Sequence, residues 1–196
     1  MNIVSADIAD TANALEERVI SAAELLELQI IQIEQRQNEL NCYVELDLSN
    51  ARIAAEHSDR RRHNNKTLSV LDGIPIAIKD NIGVAGMATR NGSKFQHKTA
   101  GDAKVVTGLR NAGAIIVGKS NMDECAIGGI TRNPHFGSTI NPWKAEFVPG
   151  GSSGGSGSAV AGGLAMAALG TDTLGSVRLP AAYCGIFGLK ATRNLI

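Results

Sequence analysis

The sequence predicts an α/β fold, because short apolar runs that suit buried strands alternate with longer segments that suit helices. Three apolar runs carry this prediction, near residues 74, 115 and 165, and each is bounded by glycine or proline. The segments between them have the composition and spacing of helices. Strands that alternate with helices favour a sheet covered by helices.

Length and composition favour a single domain over residues 1–196. We divide it into a helical N-terminal region at 1–65 and an α/β core segment at 66–196. Hydrophobic residues make up 43% of the chain and the formal net charge is zero, which argues against a disordered chain and against direct nucleic-acid binding. No stretch has the apolar length of a membrane span, and the N-terminus lacks the pattern of a signal peptide.

Cysteine and histidine usage argues against a disulfide framework or a metal site. Cys42, Cys125 and Cys184 are an odd number of cysteines without CxxC spacing, which is typical of reduced thiols in a cytoplasmic protein. The four histidines show no HExxH pairing. We therefore expect a cytoplasmic location and no metal.

The N-terminal region contains two predicted helices joined by an extended piece. Ser21 and Glu24 form the pattern of a capping box, which predicts a helix over residues 22–38. Residues 42–45 suit a short extended segment, and an alanine-rich helix is expected over residues 48–62.

Two predicted strands and a helix come next. Residues 73–78 form an apolar run that predicts a buried strand ending at Lys79. A lysine there is either a surface side chain whose stem lies along the protein or a functional group at a strand end, and the residues alone leave both readings open. Residues 102–112 predict a helix, and residues 114–117 predict a second strand.

Residues 113–120 match the GxxxxGK[ST] pattern of a nucleotide-binding P-loop. In a P-loop the residues between the glycines curl into a nest of backbone N–H groups. Here those positions include Ile115, Ile116 and Val117, which are β-branched and favour a strand. We therefore expect no nucleotide binding by this segment.

Two turns rich in glycine and serine dominate the C-terminal part. Residues 149–156 read Pro-Gly-Gly-Ser-Ser-Gly-Gly-Ser, and residues 170–178 read Gly-Thr-Asp-Thr-Leu-Gly-Ser-Val-Arg. We expect a helix over residues 156–163 and a buried run over 164–169 between them. Glycine permits close backbone approach, and serine supplies hydroxyl groups there. A flexible linker would not run into an apolar stretch, and a phosphate-binding P-loop would need a lysine that this turn lacks.

Six segments together resemble the amidase signature family of serine amidohydrolases. They lie at residues 72–81, 119–124, 141–143, 149–156, 170–178 and 184–190. The match is long and ordered, and it extends over nearly the whole chain. The resemblance implies a mixed central sheet covered by helices on both faces, and hydrolysis of an amide bond without a cofactor.

The resemblance also assigns catalytic roles to three residues of this chain. Ser176 matches the nucleophile that becomes acylated, Ser152 matches a bridging serine whose backbone is usually held in a cis peptide, and Lys79 matches the ultimate base. These roles agree with the chemistry, since amide hydrolysis needs an activated nucleophile, and a lysine can serve as the base when burial makes it neutral.

Further residues have supporting roles by the same resemblance. The oxyanion hole would consist of the backbone N–H groups of Thr173, Leu174, Gly175 and Ser176. The side chains expected to support the site are Ser153, Asp172 and Arg178.

Two departures from the family pattern stand out. Leu174 and Gly175 occupy positions where the family commonly has two glycines, and a leucine would be strained if its position required a positive φ. The chain also stops at Ile196, whereas family domains continue. We therefore expect an incomplete fold with unpaired strand edges and exposed apolar faces.

Three functional readings follow. The leading one is an amidase that cleaves a small-molecule amide through an acyl-Ser176 intermediate. A second is the glutaminase component of a tRNA-dependent amidotransferase, which passes ammonia to a partner protein. The segments at residues 119–124 and 141–143 also resemble that class, whereas Leu174 favours the first reading. The third is an inactive truncated fragment that binds another polypeptide. A homo-oligomer or a complementing subunit fits any of them.

Overall fold

A computed structural model describes residues 7–98, 101–193 and 195 of the chain. Its helices are α1 (Ile8–Glu16), α2 (Ala22–Leu40), α3 (Leu48–His63), α4 (Lys104–Asn111), α5 (Gly154–Ala161) and α6 (Arg178–Cys184), with a short 3₁₀ turn at Glu124–Ala126. Its strands are β1 (Tyr43–Leu46), β2 (Pro75–Lys79), β3 (Ala88–Thr89), β4 (His97–Lys98), β5 (Ile115–Ser120), β6 (Arg132–Asn133), β7 (Gly137–Ser138) and β8 (Ala167–Leu169).

The predicted capping box begins α2. The Ser21 hydroxyl accepts from the Glu24 amide at 3.1 Å, and the Glu24 carboxylate accepts from the Ser21 amide at 2.9 Å. The apolar face of α2 buries Leu25, Ile30 and Ile33 in the core and packs against α3. Both predicted N-terminal helices are therefore confirmed, each within two residues of its expected end.

A four-stranded mixed sheet forms the centre of the molecule, in the order β1-β5-β2-β8. β5, β2 and β8 run parallel, and β1 is antiparallel to β5. Every residue of β2 and β5 is buried, so both faces of the sheet centre are covered; α3 packs against β5, and α5 packs against β2 and β8. This is the α/β fold with a mixed, helix-covered sheet that the sequence predicted. Since β1 lies within residues 1–65, the N-terminal region also contributes a strand.

Residues 113–120 do not form a P-loop. Ile115–Ser120 is a continuous strand, and its register pairs Ile78 with Lys119 and Lys79 with Ser120. The Lys119 amine is buried and donates to the carbonyl oxygens of Asp80 and Ala88 at 3.1 Å each. This lysine therefore ties the end of β2 to β3. No helix of the described part of the chain is long and apolar enough to cross a membrane.

Helix α5 begins at Gly154, two residues before the predicted start, and docks closely on the chain that follows β5. The Gly155 amide donates to the Asn121 carbonyl oxygen at 3.1 Å. A Cβ atom at Gly155 would lie 2.6 Å from the Cys42 carbonyl oxygen and would also overlap the Asn121 backbone. Only glycine fits this contact, which positions the serine turn at residues 149–156 against the end of the sheet.

The substitution Gly155→Ala tests this contact. Alanine has the higher helix propensity, yet we expect a loss of about 1–3 kcal/mol in the free energy of unfolding, because the new methyl group meets backbone atoms that cannot move aside. The matched control is Gly108→Ala in α4, where, apart from the backbone of the helix itself and the two adjacent residues, no atom of the described chain lies within 4 Å of the new methyl group. That variant should gain about 0.5–1 kcal/mol from propensity. Urea unfolding measures both, and equal stabilisation by the two substitutions would contradict the contact.

Candidate active site

Lys79 is the last residue of β2, and its side chain is completely buried. Its Nζ atom donates to Ser152 Oγ at 2.7 Å and to Thr171 Oγ1 at 2.8 Å. Thr171 Oγ1 also accepts from Asn81 Nδ2 at 3.0 Å. A lysine whose stem lies along the surface would keep its amine in water, so that reading is wrong here. The two serine turns supply the partners of this amine, one hydroxyl from each.

Burial lowers the pKa of Lys79 to about 8, because the charged ammonium loses its water shell. The negative charges of Asp123 and Asp172 act in the opposite direction and keep the pKa from falling further. At pH 7 about one Lys79 in ten then carries the neutral amine. The side chain is therefore able to accept a proton near neutral pH.

The first serine turn places a buried hydroxyl directly on this amine. The peptide bond between Gly151 and Ser152 is cis, and the Ser152 side chain is completely buried. The Asp123 amide donates to the Ser152 carbonyl oxygen at 3.2 Å. The cis bond that the resemblance implied before Ser152 is therefore present.

Asp172 organises the second serine turn. Its carboxylate accepts from the Gly175 and Val177 amides at 2.8 and 3.1 Å, and from the Arg178 side chain at 3.0 Å through two nitrogens. The Arg178 guanidinium and these amides hold the pKa of Asp172 well below its usual range. Asp172 and Arg178 thus hold the loop that carries Ser176.

Ser176 is half-buried at the junction of the two turns. Its carbonyl oxygen accepts from the Ser153 amide at 3.2 Å, which puts the backbone of Ser176 close to the residue that follows Ser152. The Ser153 hydroxyl donates to the Thr171 carbonyl oxygen at 3.3 Å. Among the residues that the structure describes, no hydrogen bond joins the Ser176 and Ser152 hydroxyls. Catalytic hydrogen bonds are often long in unliganded enzymes and shorten when substrate binds.

One of the four amides predicted for the oxyanion hole already has an acceptor in this structure. The Gly175 amide is occupied by Asp172 and cannot donate elsewhere in this arrangement. In the described part of the chain, the amides of Thr173, Leu174 and Ser176 have no hydrogen-bond acceptor, so these three remain candidates. The positive φ, 113°, belongs to Gly175, and Leu174 is not among the residues with positive φ. The leucine therefore causes no strain there, and its side chain is 90% exposed.

Two residues that contact the site are not among those predicted from the sequence. Thr171 accepts a hydrogen bond from the Lys79 amine and lies in the segment at residues 170–178. Asp123 binds the Ser152 backbone and lies in the segment at residues 119–124. Both contacts join residues far apart in the chain, so only their membership of these segments could have indicated them.

The surface beside the turns is open. A cavity of about 700 Å³ is lined by Ser153, Val160, Gly170, Val177 and Phe187 among others, but not by Lys79, Ser152 or Ser176. Leu174, Phe187 and Leu189 are each more than 80% exposed, and β8 is an edge strand of the sheet. Among the described residues β8 pairs only with β2, so its other edge is open, and these apolar side chains are exposed. No three histidine, cysteine or acidic side chains of the described residues are placed to hold a metal ion.

Comparison with known proteins assigns this fold and these segments to one family. The family described as Amidase matches residues 24–196. The chain belongs to the amidase family. It is 45% identical to a glutamyl-tRNA(Gln) amidotransferase subunit of Lachnospira eligens and 43% identical to amidase AmiB2 of Mycobacterium bovis, in both cases over 100% of this chain.

Solved structures agree with the sequence relatives. The peptide amidase of Stenotrophomonas maltophilia superimposes with a TM-score of 0.85 and 36% identity, covering 90% of this chain and 38% of that one. The chain spans 41% of the Lachnospira relative and 42% of the Mycobacterium relative. It therefore corresponds to about two-fifths of the relatives that it matches.

The lowered pKa of Lys79 predicts a pH-dependent stability. Between the folded pKa of about 8 and the ordinary value of 10.5 the folded state binds fewer protons than the unfolded state, so Lys79 makes the protein more stable as pH rises through this window. We expect the wild type to gain stability relative to Lys79→Met from about pH 8 to about pH 10.

Urea unfolding at several pH values measures this difference. The control variant is Lys104→Met, which removes an exposed lysine from α4. A difference between wild type and Lys79→Met that stays constant over the whole range would contradict the assignment.

Proposed function

We propose that this chain carries the catalytic residues of an amidase that hydrolyses a carbon–nitrogen bond of a small-molecule amide. In this proposal Ser176 forms an acyl-enzyme, Ser152 transfers protons and Lys79 is the base. The observation that carries the proposal is the buried Lys79 amine, 2.7 Å from the Ser152 hydroxyl. Membership of the amidase family supports it.

The proposed first step is the attack of Ser176 on the amide carbonyl. A serine hydroxyl does not ionise unaided near neutral pH, so its proton must leave as the oxygen attacks. Ser152 accepts this proton while its own proton moves to the neutral Lys79 amine. The new bond joins Ser176 Oγ to the carbonyl carbon, and the carbonyl π electrons move onto oxygen, where backbone amides of the second turn stabilise the negative charge.

The second half of the reaction runs the same proton path in reverse. Lys79 returns its proton through Ser152 to the departing nitrogen, which leaves as the C–N bond breaks. A water molecule then attacks the acyl-Ser176 ester and loses its proton to the same pair. The bond between Ser176 Oγ and the carbonyl carbon breaks, and that proton passes back to Oγ. The products are a carboxylic acid and an amine or ammonia, and the three side chains return to their starting protonation states.

Labelling with a fluorophosphonate tests the nucleophile and the base together. Intact-mass analysis of the purified 196-residue chain should show a single adduct, which peptide mapping places on Ser176. The variants Ser176→Ala and Lys79→Ala should both lose it, the second because the hydroxyl then lacks its base. The control is Ser138→Ala, which removes an exposed serine outside the site and should label at the wild-type rate.

Two outcomes would contradict this proposal for the chain. One is a folded wild type, verified by circular dichroism, that takes no adduct; the reading as an inactive, polypeptide-binding fragment would then be favoured. The other is an adduct that survives in Ser176→Ala, which would place the reactive group elsewhere.

A second candidate function is supported by the relatives. The 45% identity to a glutamyl-tRNA(Gln) amidotransferase subunit suggests a glutaminase that passes ammonia to a partner protein. Release of ammonia from glutamine, together with co-purification of a second polypeptide, would favour this function. Hydrolysis of other small amides without glutamine turnover would favour the first.

A further inference from the structure

We propose that Asp123 is a positioning residue, which acts with Thr131 to fix the backbone of the Ser152 turn and places a buried negative charge within electrostatic reach of the Lys79 amine. The inference rests on the proposed function, since it concerns the base of the same reaction. Asp123 follows β5 along the chain, and only 5% of its surface is exposed.

The Asp123 carboxylate is held by backbone amides. One oxygen accepts from the Thr131 amide at 3.0 Å, and the other accepts from the Arg132 amide at 3.2 Å. Within the described part of the chain, Asp123 forms no ion pair with a lysine, arginine or histidine. A buried carboxylate with two amide donors and no cationic partner keeps its charge available to a nearby group.

The same two residues hold three backbone groups of the serine turn. The Asp123 amide donates to the Ser152 carbonyl oxygen at 3.2 Å. The Thr131 hydroxyl donates to the Gly150 carbonyl oxygen at 2.9 Å, and it accepts from the Gly154 amide at 2.9 Å. The carboxylate fixes Thr131, and Thr131 fixes the turn on both sides of Ser152.

The turn also packs directly on the carboxylate. A Cβ atom at Gly151 would overlap Asp123 Oδ2, and a Cβ atom at Gly128 would overlap the same side chain. Glycine at both positions therefore allows the carboxylate to lie against the bond that precedes Ser152.

Few other charges face Lys79. Asp172 also favours its charged form, but the Arg178 guanidinium binds the Asp172 carboxylate. Lys119 lies on the opposite face of the sheet, because its register partner is Ile78. Helix α5 and strand β8, which pack beside the amine, contain no charged residue. Asp123 is thus the nearby carboxylate without a cationic partner.

The direction of the effect on Lys79 follows from the sign of the charge. A carboxylate stabilises the ammonium form and raises the pKa of Lys79, whereas burial lowers it. Removing the charge in Asp123→Asn should lower the pKa of Lys79 below the wild-type value of about 8. The variant also leaves one of the two amide donors without its acceptor, so the turn should loosen and acylation of Ser176 should slow at least about tenfold.

Two measurements on the 196-residue chain test these roles. Chemical-shift titration of ¹³C-labelled lysine, with the Lys79 signal assigned from its absence in Lys79→Met, gives the titration midpoint. The rate of fluorophosphonate labelling at Ser176 gives the reactivity. Asp123→Asn should change both. Glu124→Gln, which removes the neighbouring carboxylate that binds His135, is the matched control and should leave the midpoint unchanged.

Thr131 separates the two roles. Thr131→Val removes the hydroxyl that binds the Gly150 carbonyl oxygen and the Gly154 amide, and it keeps the negative charge of Asp123. Labelling of Ser176 should therefore slow, while the titration midpoint of Lys79 stays at the wild-type value. Thr131→Ser restores the hydroxyl and should restore labelling. This pair also decides the positioning role if Asp123→Asn fails to fold.

A Lys79 midpoint in folded Asp123→Asn that equals the wild-type midpoint would overturn the electrostatic role. Labelling of Thr131→Val at the wild-type rate would overturn the positioning role. The titration midpoint of Lys79 can be measured whether or not Ser176 reacts with the fluorophosphonate. Loss of wild-type labelling would therefore count against the proposed function, while the titration would still decide whether Asp123 acts on Lys79.

Discussion

The buried amine at the end of β2 is the constraint on which the rest of the site depends. An amine without water is costly unless hydrogen-bond partners replace the solvent, and burial also drives it towards its neutral form. Lys79 meets both conditions, because Ser152 and Thr171 bind it while its pKa falls to about 8. Each partner comes from a different serine turn, so the amine can be buried only when both turns are correctly placed.

Small residues make that placement possible. Gly155 brings α5 against the backbone that follows β5, and Gly151 lies on the Asp123 carboxylate; a side chain at either position would overlap its neighbour. The density of glycine in residues 149–156 therefore reflects close packing rather than a flexible linker. In the second turn the Asp172 carboxylate accepts hydrogen bonds from the Gly175 and Val177 amides. One turn is shaped mainly by the absence of side chains, and the other by a single carboxylate.

Much of this architecture could be predicted from local sequence patterns. The helices α2 and α3 and the apolar parts of β2 and β5 follow from capping and apolar runs, which act over neighbouring residues. Strand β5 continues to Ser120, three residues beyond its predicted end at Val117. Helix α5 begins two residues before its predicted start, because glycine is a poor helix former and tertiary packing overrides that propensity here. The contacts of Thr171 and Asp123 could not be predicted, since they join segments distant in sequence. The hydrogen bond from the Gly175 amide to Asp172 could not be predicted either, because it depends on how the turn folds.

The central claim is that Lys79 is the base that activates Ser176, and the pH dependence of Ser176 acylation tests it most directly. The rate of fluorophosphonate labelling should rise about tenfold per pH unit below the pKa of Lys79 and level off above about pH 8. Such a profile would show that Ser176 reacts only when the buried Lys79 amine is neutral. A rate that does not change between about pH 6 and about pH 8, or one that still rises steeply towards the ordinary lysine pKa of 10.5, would contradict the account.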